Sequence, residues 1–237
     1  MIGPALDGRT PGQAHQYVEG WWSLTASGAG TVTPDGAVDL MWTPHRTPWL
    51  AGPDTAPYRS SLPEGSLVVG VRLRPGVAVA AFEGAVDRFT DVRVPVDAVW
   101  TTAVVRQLED RLTNANTPRD VAAALAIGLT SHIPQGWNSD PVVVHTAAML
   151  RAGHRIPDVG LSPRQHRRRF TAAVGYGPKF FERVCRLGRF TDLLAGGPRS
   201  GSLAALAAVS GYYDQAHLSR DCVAISGRTP EQLRTRG

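Results

Sequence analysis

LSPRQHRRRFTAAVGYGPKFFERVCRLGRF (Leu161–Phe190) and GYYDQAHLSRDCVAISGRTP (Gly211–Pro230) are two versions of one pattern. A shift of 52 residues lays Arg168 on Arg220, Ala172 on Ala224, Gly175 on Gly227 and Pro178 on Pro230. Ser162 falls on Asp214, and both are residue types whose side-chain oxygen satisfies a free amide at a helix start. Each copy therefore reads as a helix that opens on a cap and closes at Gly-x-x-Pro, where glycine takes the left-handed turn. The first start carries two more signals. Pro163 stands at the first helical position, and Gln165 is placed to complete a reciprocal capping pair.

Both helices are two-faced. In the first, His166, Phe170 and Val174 recur at helical spacing and should point inward, while Arg164, Arg167, Arg168 and Thr171 share the outer stripe. In the second, Leu218, Cys222 and Ile225 point inward, and Gln215, Ala216, Ser219 and Arg220 face out. Such stripes are either solvated surface or chemically suited to a DNA major groove, where Arg bonds guanine O6/N7 and Gln bonds adenine N6/N7. The second helix also has a partner. Ser202 caps SLAALAAVS, Gly211 breaks the chain, and Asp214 starts the next helix, which is the helix-turn-helix order. Between the copies, Pro178–Leu194 reads as one helix of about 17 residues, roughly 25 Å long. A rod of that size could hold two reading helices about 34 Å apart, one duplex turn.

Upstream the pattern changes. Short apolar runs (His15–Leu24, Gly36–Trp42, Ser66–Leu73, Val92–Val96) alternate with turn signals such as PDG at Pro34–Gly36 and RPG at Arg74–Gly76. Those spacings favour a small barrel or sandwich. Asp97 could cap a helix to about Leu112, and Thr117 with Pro118 could start another to about Leu129. The Pro/Gly/Asn-rich stretch Ile133–Pro141 reads as a linker, and beyond it the chain reads as helical. The expected organisation is α+β. A small β-barrel domain with following helices at about 97–131 occupies residues 1–135, and an all-α domain occupies 136–237.

Composition supports the division. The chain has 237 residues, 43% hydrophobic and 19% charged, enough to bury a core and too apolar for a disordered protein. Its net charge of +5 divides into −4 over residues 1–149 and +9 over residues 150–237, so the basic half carries the electrostatic footprint of a nucleic-acid-binding module. No apolar run is long enough for a spanning helix, and MIGPALDGRTPGQ lacks the order of a secretory leader. The expectation is a soluble, cytoplasmic, nucleoid-associated protein. Cys185 and Cys222 are too few for a disulfide framework and read as reduced core thiols.

With those residues set out, the C-terminal signature Gly211–Pro230 resembles that of AraC-family transcriptional regulators, and Leu161–Phe190 is similar to the family's first recognition helix and linker helix. VEGWWSL, TPDGAVDLMW and VGVRLRPG resemble, in order, the sensor domain of one branch. The resemblance implies a cupin-like barrel followed by helices that can dimerise. It implies base reading by Arg164, Arg167 and Arg168 in the first helix and by Gln215, Ser219 and Arg220 in the second, with Lys179 meeting phosphate. Three departures stand out. Gly153–Val159 is about four residues short of a positioning helix and contains Pro157; His166 occupies a usually apolar place; Cys222 occupies a usual Phe place. The second motif is therefore expected to be the more regular reader, with the first contacting mainly phosphates.

Other chemistry finds little support. His15 and His45 lie thirty residues apart, and His132 and His145 belong to the helical region, so the spacing does not suggest a metal site. No nucleophile-elbow, zinc-protease, P-loop or dinucleotide fingerprint occurs, and no enzyme activity or cofactor is expected. Cys185 beside Arg183 and Arg186 could have a lowered pKa and act as a redox switch, or be a half-buried thiol. Trp22, Trp42 and Trp49, with Arg72 or Arg74 as a polar handle, could line an effector pocket; they could equally fill the barrel core. The functional expectation is a one-component regulator binding double-stranded DNA, with a small effector, RNA polymerase and a homodimer through helices 97–130 as further partners. The alternative is a protein-interaction or ligand-sequestering module that binds DNA weakly because its first motif is shortened.

Overall fold

A computed structural model of the chain describes residues 6–8, 12–196 and 202–235. The stretch read above for a leader lies largely outside them. A 3-10 turn at Gly12–Gln16 leads into seven strands: β1 (Val18–Thr25), β2 (Gly30–Val32), β3 (Asp39–Trp42), β4 (Trp49–Ala51), β5 (Tyr58–Ser60), β6 (Leu67–Leu73) and β7 (Arg93–Pro95). The four expected runs became β1, β3, β6 and β7. The three-residue strands β2, β4 and β5 were not among those runs, since three residues are too short to show a period of two; β7, equally short, was caught because its apolar run Val92–Val96 extends beyond it.

The larger sheet has the order β1-β6-β3-β4-β7, with every pairing antiparallel; β2 and β5 form a second, two-stranded sheet. Among the described residues no pairing closes the large sheet on itself, so the expected barrel is an open, cupin-like arrangement of two sheets. Alternation sorts the side chains. Leu40, Leu50, Val69, Val71, Leu73 and Val94 are buried in one core with the helices that follow. Both turn signals work as their chemistry requires, since Gly36 and Gly76 have φ of +78° and +86°.

After the short α1 (Ala78–Ala81) and a 3-10 turn at Val86–Phe89, two longer helices cover the sheet: α2 (Thr102–Thr113) and α3 (Pro118–His132). Asp97 does not cap α2. It lies in a separate 3-10 turn, Val96–Ala98, and Val99 leaves helical geometry at φ −132°. The cause is Trp100, which turns into the core and donates Nε1–H to the Ala81 carbonyl at 2.9 Å, so the helix begins afresh behind it. Thr117 does cap α3, in a reciprocal box with Asp120 and with Pro118 at the first position.

At the end of α3 the His132 ring stacks on Trp100 at 4.7 Å, and its Nε2–H donates to the Ala80 carbonyl at 3.1 Å. Burial holds its pKa below 6.5, against weaker opposing effects of Glu83 and the Ala80 bond. The unfolded chain then binds a proton that the folded one does not, so stability rises with pH through that window. The protein is expected to lose stability as pH falls below about 6.5. Urea midpoints across pH 5–7.5 check this; His132→Gln should flatten the dependence, and an unchanged slope would assign it to other groups.

Beyond residues 133–140, which hold no regular element, six helices follow: α4 (Pro141–Arg151), α5 (Pro163–Val174), α6 (Pro178–Gly196), α7 (Leu203–Val209), α8 (Gln215–Ser226) and α9 (Pro230–Arg234). Ala152–Leu161 forms no helix, so the shortage seen in the sequence is real and the expectation of continuous helical structure fails there. The two halves have separate cores. Val184, Leu187, Phe190, Leu203, Ala207, Leu218, Cys222 and Ile225 build the second. Val143, Ala147, Leu150, Phe170, Val174 and Phe181 build the first, and Val79 from the N-terminal part packs against it.

Candidate nucleic-acid interface

α5 starts as its sequence dictates. Ser162 Oγ accepts from the Gln165 amide at 3.3 Å, and Gln165 Oε1 accepts from the Ser162 amide at 3.1 Å. It ends on Gly175 at φ +96°. His166, Phe170 and Val174 are buried as their spacing requires. His166 tolerates its apolar position because Thr146 on α4 partners it, with Oγ1 2.8 Å from the ring Nε2 and both side chains buried. A buried imidazole with a hydroxyl partner keeps its polar atom satisfied. Arg164, Arg167 and Arg168 are exposed; Thr171, on the same stripe, is half-buried. Arg169 is drawn aside into an ion pair with Asp140.

α8 repeats the design. Asp214 Oδ1 accepts from the His217 amide at 2.6 Å, and Gly227 closes the helix at φ +68°. Leu218, Cys222 and Ile225 are fully buried, Gln215 and Arg220 are exposed, and Ser219 is half-buried. α6 joins the halves. Its 19 residues span roughly 28 Å at 1.5 Å each. Lys179 stands near its start, 85% exposed, with Glu182 3.6 Å away.

One determinant escaped sequence reasoning. Asp221 lies on the inner side of α8, 3% exposed, where an apolar residue would be ordinary. It accepts from Arg183 Nε of α6 at 2.9 Å, with Arg186 and His217 at 4.0 and 3.9 Å. Arg186 also pairs with Glu182 at 3.0 Å and lies over the Tyr212 ring at 5.3 Å. This clamp fixes α8 on the linker helix. Its only local signal was His217 and Asp221 four apart, beside Arg183 and Arg186 on α6.

Cys185 is half-buried and Cys222 buried, both as free thiols. Burial pushes Cys185 up to about 11 and Cys222 up to about 12; Arg151 and Arg189 oppose the first only weakly. Of the two readings of Cys185, a thiol activated beside Arg183 and Arg186 or a half-buried thiol, the geometry fits the second, because desolvation outweighs the nearby guanidinium charge.

The N-terminal residues proposed for an effector do not converge. Trp22 pairs with Gly70, and Gly70 with Met41, whereas Trp42 pairs with Val69. A one-residue offset puts Trp42 on the opposite face, packed with the helix-side core. Trp22 and Trp42 therefore line no common cavity. Trp49 shares the Trp22 face through its pairing with Met41, and the Arg46 guanidinium lies 5.0 Å from its ring centre. Trp22 is 2% exposed and lies so close over Gly70 that a methyl group there would sit 2.4 Å from the indole. Arg72 is held in the same layer by Asp35 at 2.5 Å and Asp39 at 3.2 Å. Burial raises the Asp39 carboxyl, with Arg72 pulling the other way. Arg74 is exposed, apart from this group, and its Nε donates to the His15 carbonyl at 2.8 Å.

The N-terminal part packs directly on the first motif. Gly175 meets Pro53 and Thr90, and the Thr90 hydroxyl donates to the Gly175 carbonyl at 3.1 Å. Arg151 of α4 reaches Glu19 of β1 at 2.9 and 3.0 Å. Among the described residues no three His, Cys, Asp or Glu side chains gather as metal ligands, and no helix is long and apolar enough to cross a membrane.

Residues 158–236 match the family of AraC-type helix-turn-helix domains, and residues 12–95 match a domain of unknown function, DUF6597. No curated protein matches the chain. Among solved structures, one of apo ToxT from Vibrio cholerae is 9% identical with a TM-score of 0.49, covering 96% of this chain and 98% of that one. ToxT of strain O395 is 11% identical at 0.48, covering 90% and 96%. The stretch that carries α5 to α9 is thus a helix-turn-helix domain of the AraC type.

Proposed function

We propose that α5 and α8 enter neighbouring major grooves of one duplex and that the N-terminal domain transmits an effector signal to them. The observation that supports this most directly is the pair of capped helices with outward Arg and Gln side chains, braced by one stiff helix. Gln215, Ser219 and Arg220 read bases. Arg164, Arg167, Arg168 and Thr171 hold the first half mainly through phosphates, since no positioning helix precedes α5 to fix its angle. Lys179 adds a phosphate contact at the start of α6.

Five exposed cations (Arg164, Arg167, Arg168, Lys179 and Arg220) release counterions on binding, so log K should fall with log salt at a slope of roughly −4 to −5. Arg220→Ala is expected to cost about 1–3 kcal/mol and to relax preference at a single base position. Competition binding across single-base operator variants checks this. Equal weakening on every sequence would make Arg220 a phosphate contact, and a slope near zero on random duplex would favour the interaction-module reading.

An effector acts, on this reading, by changing how the N-terminal domain holds the first motif, because only differential affinity for two arrangements can couple the sites. The layer of Trp22, Trp49 and Arg72 is the candidate place, and binding there must displace a filled interior. A homodimer would use α2 and α3, whose outer side forms an open cleft of about 600 Å³ bordered by Gln107, Asp110, Arg111 and Ile127. RNA polymerase is a further partner on this reading.

A further inference from the structure

The three most exposed large hydrophobic side chains among the described residues all belong to the second motif: Tyr213 at 93%, Val209 at 70% and Val223 at 53%. Val223 lies on α8 itself. At roughly 100° per residue it projects within about 20° of Ala216, also exposed, and both point opposite the buried arc of Leu218, Cys222 and Ile225. Gln215 and Ser219 flank this pair on one side and Arg220 on the other. The outward face of α8 therefore carries two apolar spots two turns apart, with Ser219 and Arg220 on the turn between them. At the matching positions of α5 the sequence has Arg164 and Thr171, so the two helices present different chemistry from the same framework.

We infer that α8 recognises thymine through its 5-methyl group, with Ala216 and Val223, two turns and about 10.5 Å apart along the axis, each against the methyl of a separate thymine, and Gln215 on an adenine beside the thymine under Ala216. The inference rests on the reading of α8 as a groove-inserted helix and adds the base it selects. In the major groove thymine alone among the four bases offers a methyl group, and small apolar side chains are what contact it. The neighbouring Arg220 cation argues for DNA over a protein partner on this face, because the opposing surface must accept one positive charge beside a methyl-sized apolar spot. The α5 face, with three exposed arginines, has no comparable apolar spots, so the two half-sites should differ: the one under α8 carries A·T pairs, and the one under α5 is less exacting.

The test uses full-length protein and a duplex selected from a random pool. Thymines are replaced by deoxyuridine, which removes the methyl and leaves pairing intact, one half-site at a time. Affinity should fall about fourfold for each contacted thymine under α8 and stay unchanged for replacements under α5. Val223→Ala should reduce the penalty at the thymine under Val223 and leave that under Ala216 unchanged, while Val209→Ala on α7 should leave both intact. Insensitivity to deoxyuridine in the α8 half, or an unchanged penalty at the thymine under Val223 in Val223→Ala, overturns the inference while DNA binding itself stands. If no duplex is selected at all, the groove-insertion reading falls with it. Loss of affinity for a protein partner in Val223→Ala, with deoxyuridine sensitivity absent, would assign the apolar spots to protein contact and also overturn it.

Discussion

Replacing Asp221 by alanine is expected to lower stability by about 3 kcal/mol, at the lower end of the range for breaking a buried ion pair. The carboxylate is almost wholly enclosed, whereas Arg183, its main partner, is 38% exposed and can turn to water. Arg186 is worse placed, at 13% exposure, but retains Glu182. The unpaired cost therefore falls on one half-compensated guanidinium and on a cavity at the α6–α8 contact. If the chain melts as one unit, the midpoint should fall by roughly 6–12 °C. Asp221→Asn keeps an acceptor for Arg183 and should lose less than half as much. Calorimetry on the three proteins checks the ranking. A loss below about 1 kcal/mol for Asp221→Ala would mean that the apolar contacts of Leu218, Cys222 and Ile225 hold α8 without the clamp.

The same residue marks a limit of reading sequence. The helices of the C-terminal domain were legible because their determinants are local. Caps at Ser162, Ser202 and Asp214, glycines at 175 and 227, and apolar positions three and four apart all act within one or two turns. The gap at 152–161 was only half legible: the region read as helical, while Pro157 and a stretch short by about four residues against the resembled family pointed to a missing positioning helix. Asp221 was not legible, since its meaning depends on Arg183, 38 positions earlier. The N-terminal domain was harder throughout. Strand content showed wherever four or more residues alternated, but register decides which face a tryptophan occupies, and register is set by pairing partners far away in sequence. Trp22 and Trp42 looked equivalent until β6 placed one opposite Gly70 and the other opposite Val69. Trp100 overrode the cap signal of Asp97 because burying an indole outweighs one helix-start preference.

The least legible feature is the contact between the domains, and the repeat supplies its own control. Gly175 and Gly227 hold the same place at the ends of α5 and α8, both at positive φ. Alanine at either position pays the left-handed strain of about 1–2 kcal/mol. At Gly227 little else changes, since an added methyl would meet Pro57 Cγ at an ordinary 3.5 Å. At Gly175 it would lie 2.3 Å from Pro53 Cγ and 3.0 Å from Thr90 Oγ1. A proline ring cannot rotate aside, so α5 or the N-terminal domain must move, at a further cost of about 2–3 kcal/mol. Gly175→Ala should therefore destabilise by about 3–5 kcal/mol and Gly227→Ala by about 1–2. Chemical denaturation measures the difference. Combining Gly175→Ala with Pro53→Ala should return most of the excess as a coupling between the two sites. Equal losses for the two glycines would show that the N-terminal domain does not bear on α5 in solution. An excess that Pro53→Ala relieves would place the end of α5 against the N-terminal domain, the contact through which the proposed function has an effector act.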